Sequence, residues 1–262
     1  MEKMEGWIFD AYPEDAGMRV WIVERGGRRR SVLDAWRPSF HVSGTTSQLK
    51  TAARVLASLS YPTSTRWVEK KELFSGAALL VWEISVPVRE RDALVKRLAA
   101  LELPLYDADM HLVQAYHYDR GHFPLALCGF ELSGERLVSH ELRDDPWAVD
   151  YEIPPLTTMR LALAGSEIAG TQDPNHTGGG RLVLGRDGRT YELEGRFEEQ
   201  LETLSRRLQD WDPDVITTEW GDSVLMPQLD RLAKERGVSL DFSRDAGRGM
   251  SGRGERSFFT YG

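Results

Sequence analysis

The sequence predicts a mixed α/β (α+β) protein: an N-terminal mixed-sheet domain, then a second α/β domain. Three observations carry that prediction. Apolar residues recur with a period of two in some segments and near 3.6 in others, as half-buried strands and amphipathic helices require. An acidic, proline-bearing stretch from Arg143 to Pro155 interrupts this patterning. Beyond it the order strand, strand, strand, helix, strand, helix ends in WDPDVITTEWGDSVLMPQLDRLAKERG, Trp211 to Gly237. A chain of 262 residues is long enough to bury a sizeable core as one large domain or two ordinary ones.

Taken in order, Trp7, Phe9 and the run Arg19 to Glu24 predict two strands joined by a turn at Asp15-Ala16-Gly17. Arg25, Arg28, Arg29 and Arg30 then share one turn, and Trp36 to Val42 forms another strand. Leu49, Ala52, Ala53, Leu56 and Leu59 repeat at helical spacing. A strand from Leu79 to Val86, a helix with Leu94, Val95, Leu98 and Leu101, and a turn at Tyr106 to Asp109 follow. Together they suggest a small sheet with helices on one face. Leu125 to Leu142 reads as a hairpin turning at Ser133-Gly134-Glu135, and the acidic linker closes this part of the chain. The expected divisions are therefore 1–124, a hairpin and linker over 125–155, and 156–262.

In the last division, Thr158 to Ala164, Arg181 to Leu184 and Arg189 to Leu193 read as strands, with a turn at Asp187-Gly188. Phe197, Leu201, Leu204, Leu208 and Trp211 form one helical stripe. Val215 to Thr218 is a buried strand, Gly221 a turn, and Asp222 the cap of an amphipathic helix. From Ser243 to Gly254 glycine, arginine and serine dominate, which predicts a loop.

Composition excludes several classes. The chain is 41% apolar and 28% charged, with no apolar run long enough to span a membrane. No signal-peptide core opens it, so a cytoplasmic location is the default. Cys128 is the single cysteine, which rules out an intramolecular disulfide or a multi-cysteine zinc site. A net charge of −8 argues against autonomous, tight DNA binding, because phosphate contacts dominate such affinity. Two basic clusters remain as DNA-binding candidates: Arg25, Arg28, Arg29 and Arg30, and a C-terminal group with Arg244 and Arg248. A solvated loop is the simpler reading of each.

Other constellations carry less. His111, His117 and His122 lack a second set of ligands at zinc spacing, and partly exposed polar histidines are the simpler reading. Gly178-Gly179-Gly180 lacks the lysine and strand-to-helix context of a phosphate loop. Asp210, Asp212, Asp214, Glu219 and Asp222 are mostly explained as helix end, turn and cap, without metal.

Asp212, Pro213, Asp214, Val215, Ile216, Gly221, Asp222 and Leu229 keep the frame of a strand of type DPDVIITYNGD followed by N-F-D and a helix. In this the segment strongly resembles the second exonuclease motif of family B DNA polymerases. Trp36-Arg37-Pro38-Ser39-Phe40 resembles the family's F-x-P-Y-F/Y strand. Tyr106-Asp107-Ala108-Asp109, with Tyr116, Asp119, Arg120, Gly121 and Pro124, resembles its Y-E-x-D-I-P-F-x-x-R-Y-L-x-D-x-G segment. The resemblance covers almost the whole chain and implies an N-terminal-like domain followed by a 3′–5′ exonuclease-like domain of ribonuclease H-like fold. The chain ends before the family's third exonuclease motif, and no palm motif occurs.

The same resemblance implies that the nuclease chemistry is lost. Two-metal phosphodiester hydrolysis needs clustered carboxylates. The family's D-x-E falls on Gly165-Ser166-Glu167, its second-motif aspartate on Leu225, and the asparagine of its turn on Trp220. Leucine offers a hard cation no oxygen, and Leu225 with Leu229 and Leu232 makes an i, i+4, i+7 core stripe. No catalytic or metal-binding residue is therefore expected. Archaeal relatives capture template uracil in an N-terminal pocket, whose tyrosine, phenylalanine and arginine fall here on Ala11, Leu112 and Ala115.

The expectation is the N-terminal, nuclease-dead portion of a family B DNA-directed DNA polymerase, with a structural and DNA-path role in replication or repair. Palm, fingers and thumb would join it in cis or as a separate chain. The palm would use magnesium, whereas this chain would hold no cofactor and would bind DNA weakly. Two alternatives stand beside it: a self-contained 3′–5′ exonuclease with a displaced carboxylate set, and a scaffold that binds another replication or repair protein.

Overall fold

A computed structural model describes residues 1–164, 180–219 and 221–245, with only the backbone of 222 and 223. Its contacts divide the chain into two compact units, Met1–Pro155 and Leu156–Gly262.

The first unit opens with β1 (Glu2–Glu14) and β2 (Gly17–Glu24), an antiparallel pair. Gly17 closes their turn at φ 148, where a side chain would collide with the Asp34 backbone. β3 (Arg29–Asp34) pairs with β2, and β8 (Leu127–Ser133) with β9 (Arg136–Leu142). β1 pairs β8 on one side, and a short β3–β9 bridge at Leu33 and Arg136 closes a five-stranded barrel on the other. Ile8, Met18, Val20, Ile22, Val32, Phe130 and Leu132 fill it. The hairpin read from the sequence is present as β8 and β9, two strands of this barrel. α3 (Leu112–Arg120) packs on the barrel through Tyr116, which meets Trp36 edge-on.

A second sheet in this unit has the order β5-β6-β4-β7, from β4 (Ser39–Val42), β5 (Ser64–Lys71), β6 (Ala78–Ser85) and β7 (Leu105–Tyr106). α1 (Thr46–Ala57) and α2 (Arg91–Ala99) share its core with Phe40, Val42 and Ile84. Thr45 and Gln48 form a capping box that starts α1. The sequence predicted one small sheet where the structure has two. Its arginine turn hid β3, and β5 is open to solvent on both faces and so lacks alternation.

In the second unit, β10 (Thr158–Leu163), β11 (Leu182–Arg186) and β12 (Arg189–Glu192) form an antiparallel meander. α4 (Phe197–Trp211) then leads to β13 (Val215–Thr218), which lies parallel to β10 and gives the order β12-β11-β10-β13. A π-helical turn, Gly221–Leu225, leads into α5 (Met226–Arg236). Leu161, Leu184, Leu201, Leu204, Leu208 and Leu229 make one core. This is the mixed α+β architecture expected of a ribonuclease H-like opening. Among the described residues no helix is long and apolar enough to cross a membrane.

Candidate functional site

The parallel pairing of β10 and β13 brings their C-terminal ends side by side, with Leu161 opposite Thr218. Carboxylates for a pair of cations would have to converge there. Gly165 and Glu167, on the exit from β10, lie outside the described residues, as do Trp220, Gly178 and Gly179. On the exit from β13 the chain turns sharply. A Cβ at Gly221 would overlap the Thr218 side chain, which explains the glycine of the motif by close approach. The helix begins in this π turn, so Asp222 lies inside it rather than at the start of α5; α5 has Leu225 at its N-terminal flank and no side-chain cap.

Leu225 is 3% exposed and belongs to the apolar cluster of Leu161, Leu184, Leu204 and Leu229, against which Leu232 also packs. Burying one such side chain contributes about 1.5–3 kcal/mol. The Leu225 side chain therefore belongs to the core and presents no oxygen. Glu219, at the strand end, pairs with Arg160 at 3.2 Å. Among the described residues no group of three His, Cys, Asp or Glu side chains could hold a metal ion.

The motif's other aspartates serve the fold. Asp212 ends α4 in the left-handed region, at φ 40, a conformation aspartate tolerates better than most residues. The Asp214 side chain is fully enclosed. It accepts the Thr157 backbone N–H at 2.7 Å and the Thr157 hydroxyl at 3.0 Å. Arg244 reaches both aspartates, at 2.6 Å to the Asp212 carboxylate and 2.9 Å to that of Asp214, and donates to the Asp212 carbonyl at 2.8 Å. This knot ties the starts of β10 and β13 to the segment after α5. Arg244, expected from the sequence as a DNA-binding candidate, is held in this knot. Arg248 lies outside the described residues.

The N-terminal arginines are also largely committed. Arg25 pairs with Glu5 at 3.0 Å and Glu152 at 3.1 Å, and its guanidinium lies 5.3 Å from the Trp7 ring centre. Arg29 and Arg30 stand on β3, not in the turn. Arg30 bridges Glu2 at 2.8 Å and Glu24 at 3.0 Å, and its hydrogen bond holds the Glu2 carboxyl below the usual range. Arg29 donates to the carbonyls of Gly27 and Pro155. Arg28 is exposed and makes no ion pair among the described residues. Carboxylates thus pair with Arg25 and Arg30, two of the four predicted arginines.

Ala11 and Ala115 are buried in the barrel core and Leu112 packs against it, so the three positions matched to the uracil pocket offer only aliphatic side chains. His111 accepts the Val113 N–H at the start of α3. His117 and His122 are buried and hydrogen-bonded to each other, not partly exposed. The sequence could not show this, because their third neighbour, His140, comes from β9. Within the first unit, Trp36, Arg37, His41, Arg66, Tyr118 and Asp119 line a polar cleft of about 910 Å³.

No family model matches this sequence, and no curated protein matches it. Among solved structures, the chain is similar to the family B DNA polymerase from the hyperthermophilic archaeon Pyrobaculum calidifontis, with a TM-score of 0.69 and 23% identity. The fold is one found in a family B DNA polymerase. The match covers 92% of this chain and 34% of that one, so the chain spans about a third of that polymerase's length.

Proposed function

We propose that this chain is the N-terminal and exonuclease-like portion of a family B DNA polymerase in which the nuclease chemistry has been lost. Its role is structural: it supports a polymerase core, in cis or as a separate chain, and lines part of the DNA path. One observation carries the reading. In a chain with a fold found in such a polymerase, Leu225, which the motif resemblance aligns with the second metal-ligand aspartate, is buried. A helix that turns this position into its core cannot offer a cation the oxygen ligands it requires.

The DNA contact in this reading is weak. The net charge of −8 opposes phosphate binding, and Arg25, Arg30 and Arg244 are held by carboxylates. Arg28 supplies the local attraction, with Arg29 and the carboxylate-held Arg30 beside it. Titration of fluorescent single-stranded DNA at two salt concentrations tests this. Binding should fall steeply with salt, as counterion release requires, and fall again when Arg28, Arg29 and Arg30 are all replaced by alanine. Tight binding indifferent to salt and to those substitutions would contradict it.

A further inference from the structure

The proposed role leaves unused a group of histidines between α3 and the barrel. His117 lies on the last turn of α3, and His122 just beyond the left-handed Gly121 that ends it. They are 9% and 7% exposed, and their Nδ1 atoms face each other at 2.8 Å. His140, from β9, meets the His122 ring edge-on with centroids 5.0 Å apart, and its Nε2 donates to the Arg120 carbonyl at 2.8 Å. The His122 N–H in turn bonds the His117 carbonyl.

An Nδ1-to-Nδ1 contact of this length needs one proton between the two nitrogens. One ring donates, and the other must offer a lone pair. The charged or titratable groups around the pair are Asp10 from β1, Asp34 from β3, His140 from β9, and Tyr116 and Arg120 on α3 itself. Asp10 favours charge on His117. Asp34 is already occupied by Arg120, at 2.6 and 2.8 Å, and by the Tyr116 hydroxyl at 3.0 Å. His122 has only Arg120 and two other histidines near it. A first proton therefore belongs on His117, and His122 must remain the neutral acceptor.

We infer that the His117–His122 pair is a proton-sensitive latch holding α3 against the barrel, closed while His122 is neutral and released when it takes a proton. α3 contributes Ala115, Tyr118, Asp119 and Arg120 to the wall of the polar cleft, so release alters that cleft. Burial pushes both histidines below their ordinary value, His122 to about 3. The sign follows. A released His122 titrates near 6.5 and the latched one near 3, so latching is undiminished above about pH 6.5. It then weakens as pH falls towards 3, by about tenfold per pH unit for one histidine.

Hydrogen exchange of the full chain at pH 7.5 and pH 5.0, corrected for intrinsic rates, tests the latch. In the wild type, protection over residues 112–123 should drop about tenfold or more at pH 5.0, while β10 and β13 keep theirs. His122→Gln retains an acceptor without a titratable ring, and His122→Phe retains the ring's bulk. Either should abolish the pH-dependent drop. Unchanged protection of α3 at pH 5.0, an equal loss in β10 and β13, or a drop that persists in a folded variant would overturn the inference. The wild-type profile decides alone if neither variant folds.

Discussion

Leu225 and a carboxylate at the same position would make opposite demands on the head of α5. The leucine is enclosed with Leu229 and Leu161, whereas a metal-binding aspartate needs an open, polar pocket. Leu225→Asp should cost at least about 2 kcal/mol, from lost packing and a buried carboxyl without partners. In a thermal melt this should lower Tm on the order of 5 °C; an unchanged Tm would mean the position is open. Arg244 permits a second test at this scale. Replacing it with alanine removes an ion pair from the enclosed Asp214, so stability in urea should drop by about 1–3 kcal/mol while DNA affinity stays the same. Lost affinity with unchanged stability would return Arg244 to the DNA-facing set.

The elements that place the site were legible where packing imposes a period. The stripe Leu201, Leu204, Leu208 predicts α4, and Leu225, Leu229, Leu232 predicts the core face that runs into α5. The π turn between β13 and α5 was not legible, since a one-residue widening of a helix leaves no mark on hydrophobic spacing. β5 was missed because neither face is buried, and β3 because its Arg30 finds Glu2 and Glu24 only once the barrel closes. The aspartate knot was equally hidden: Thr157 and Asp214 are 57 residues apart. The turn itself can be tested. Gly221→Ala places a methyl group against Thr218 and should destabilise the second unit by about 1–3 kcal/mol. Thr218→Ala in the same chain should recover part of that loss, which a double-mutant cycle measures. Strict additivity would show that the two residues do not meet.

On the scale of the whole molecule, two units, each with its own core, carry the fold of part of a polymerase on a chain whose net charge repels DNA. In the proposed role as a wall or support within a larger assembly, other domains would supply the phosphate contacts. Under the proposed function the second unit keeps this fold without nuclease chemistry. The direct measurement is incubation of the purified chain with end-labelled single-stranded DNA and magnesium or manganese, followed on a sequencing gel. The DNA is expected to remain full-length at every time point, in the wild type and in Glu167→Ala alike. Progressive shortening from the 3′ end by the wild type, abolished in Glu167→Ala, would contradict it.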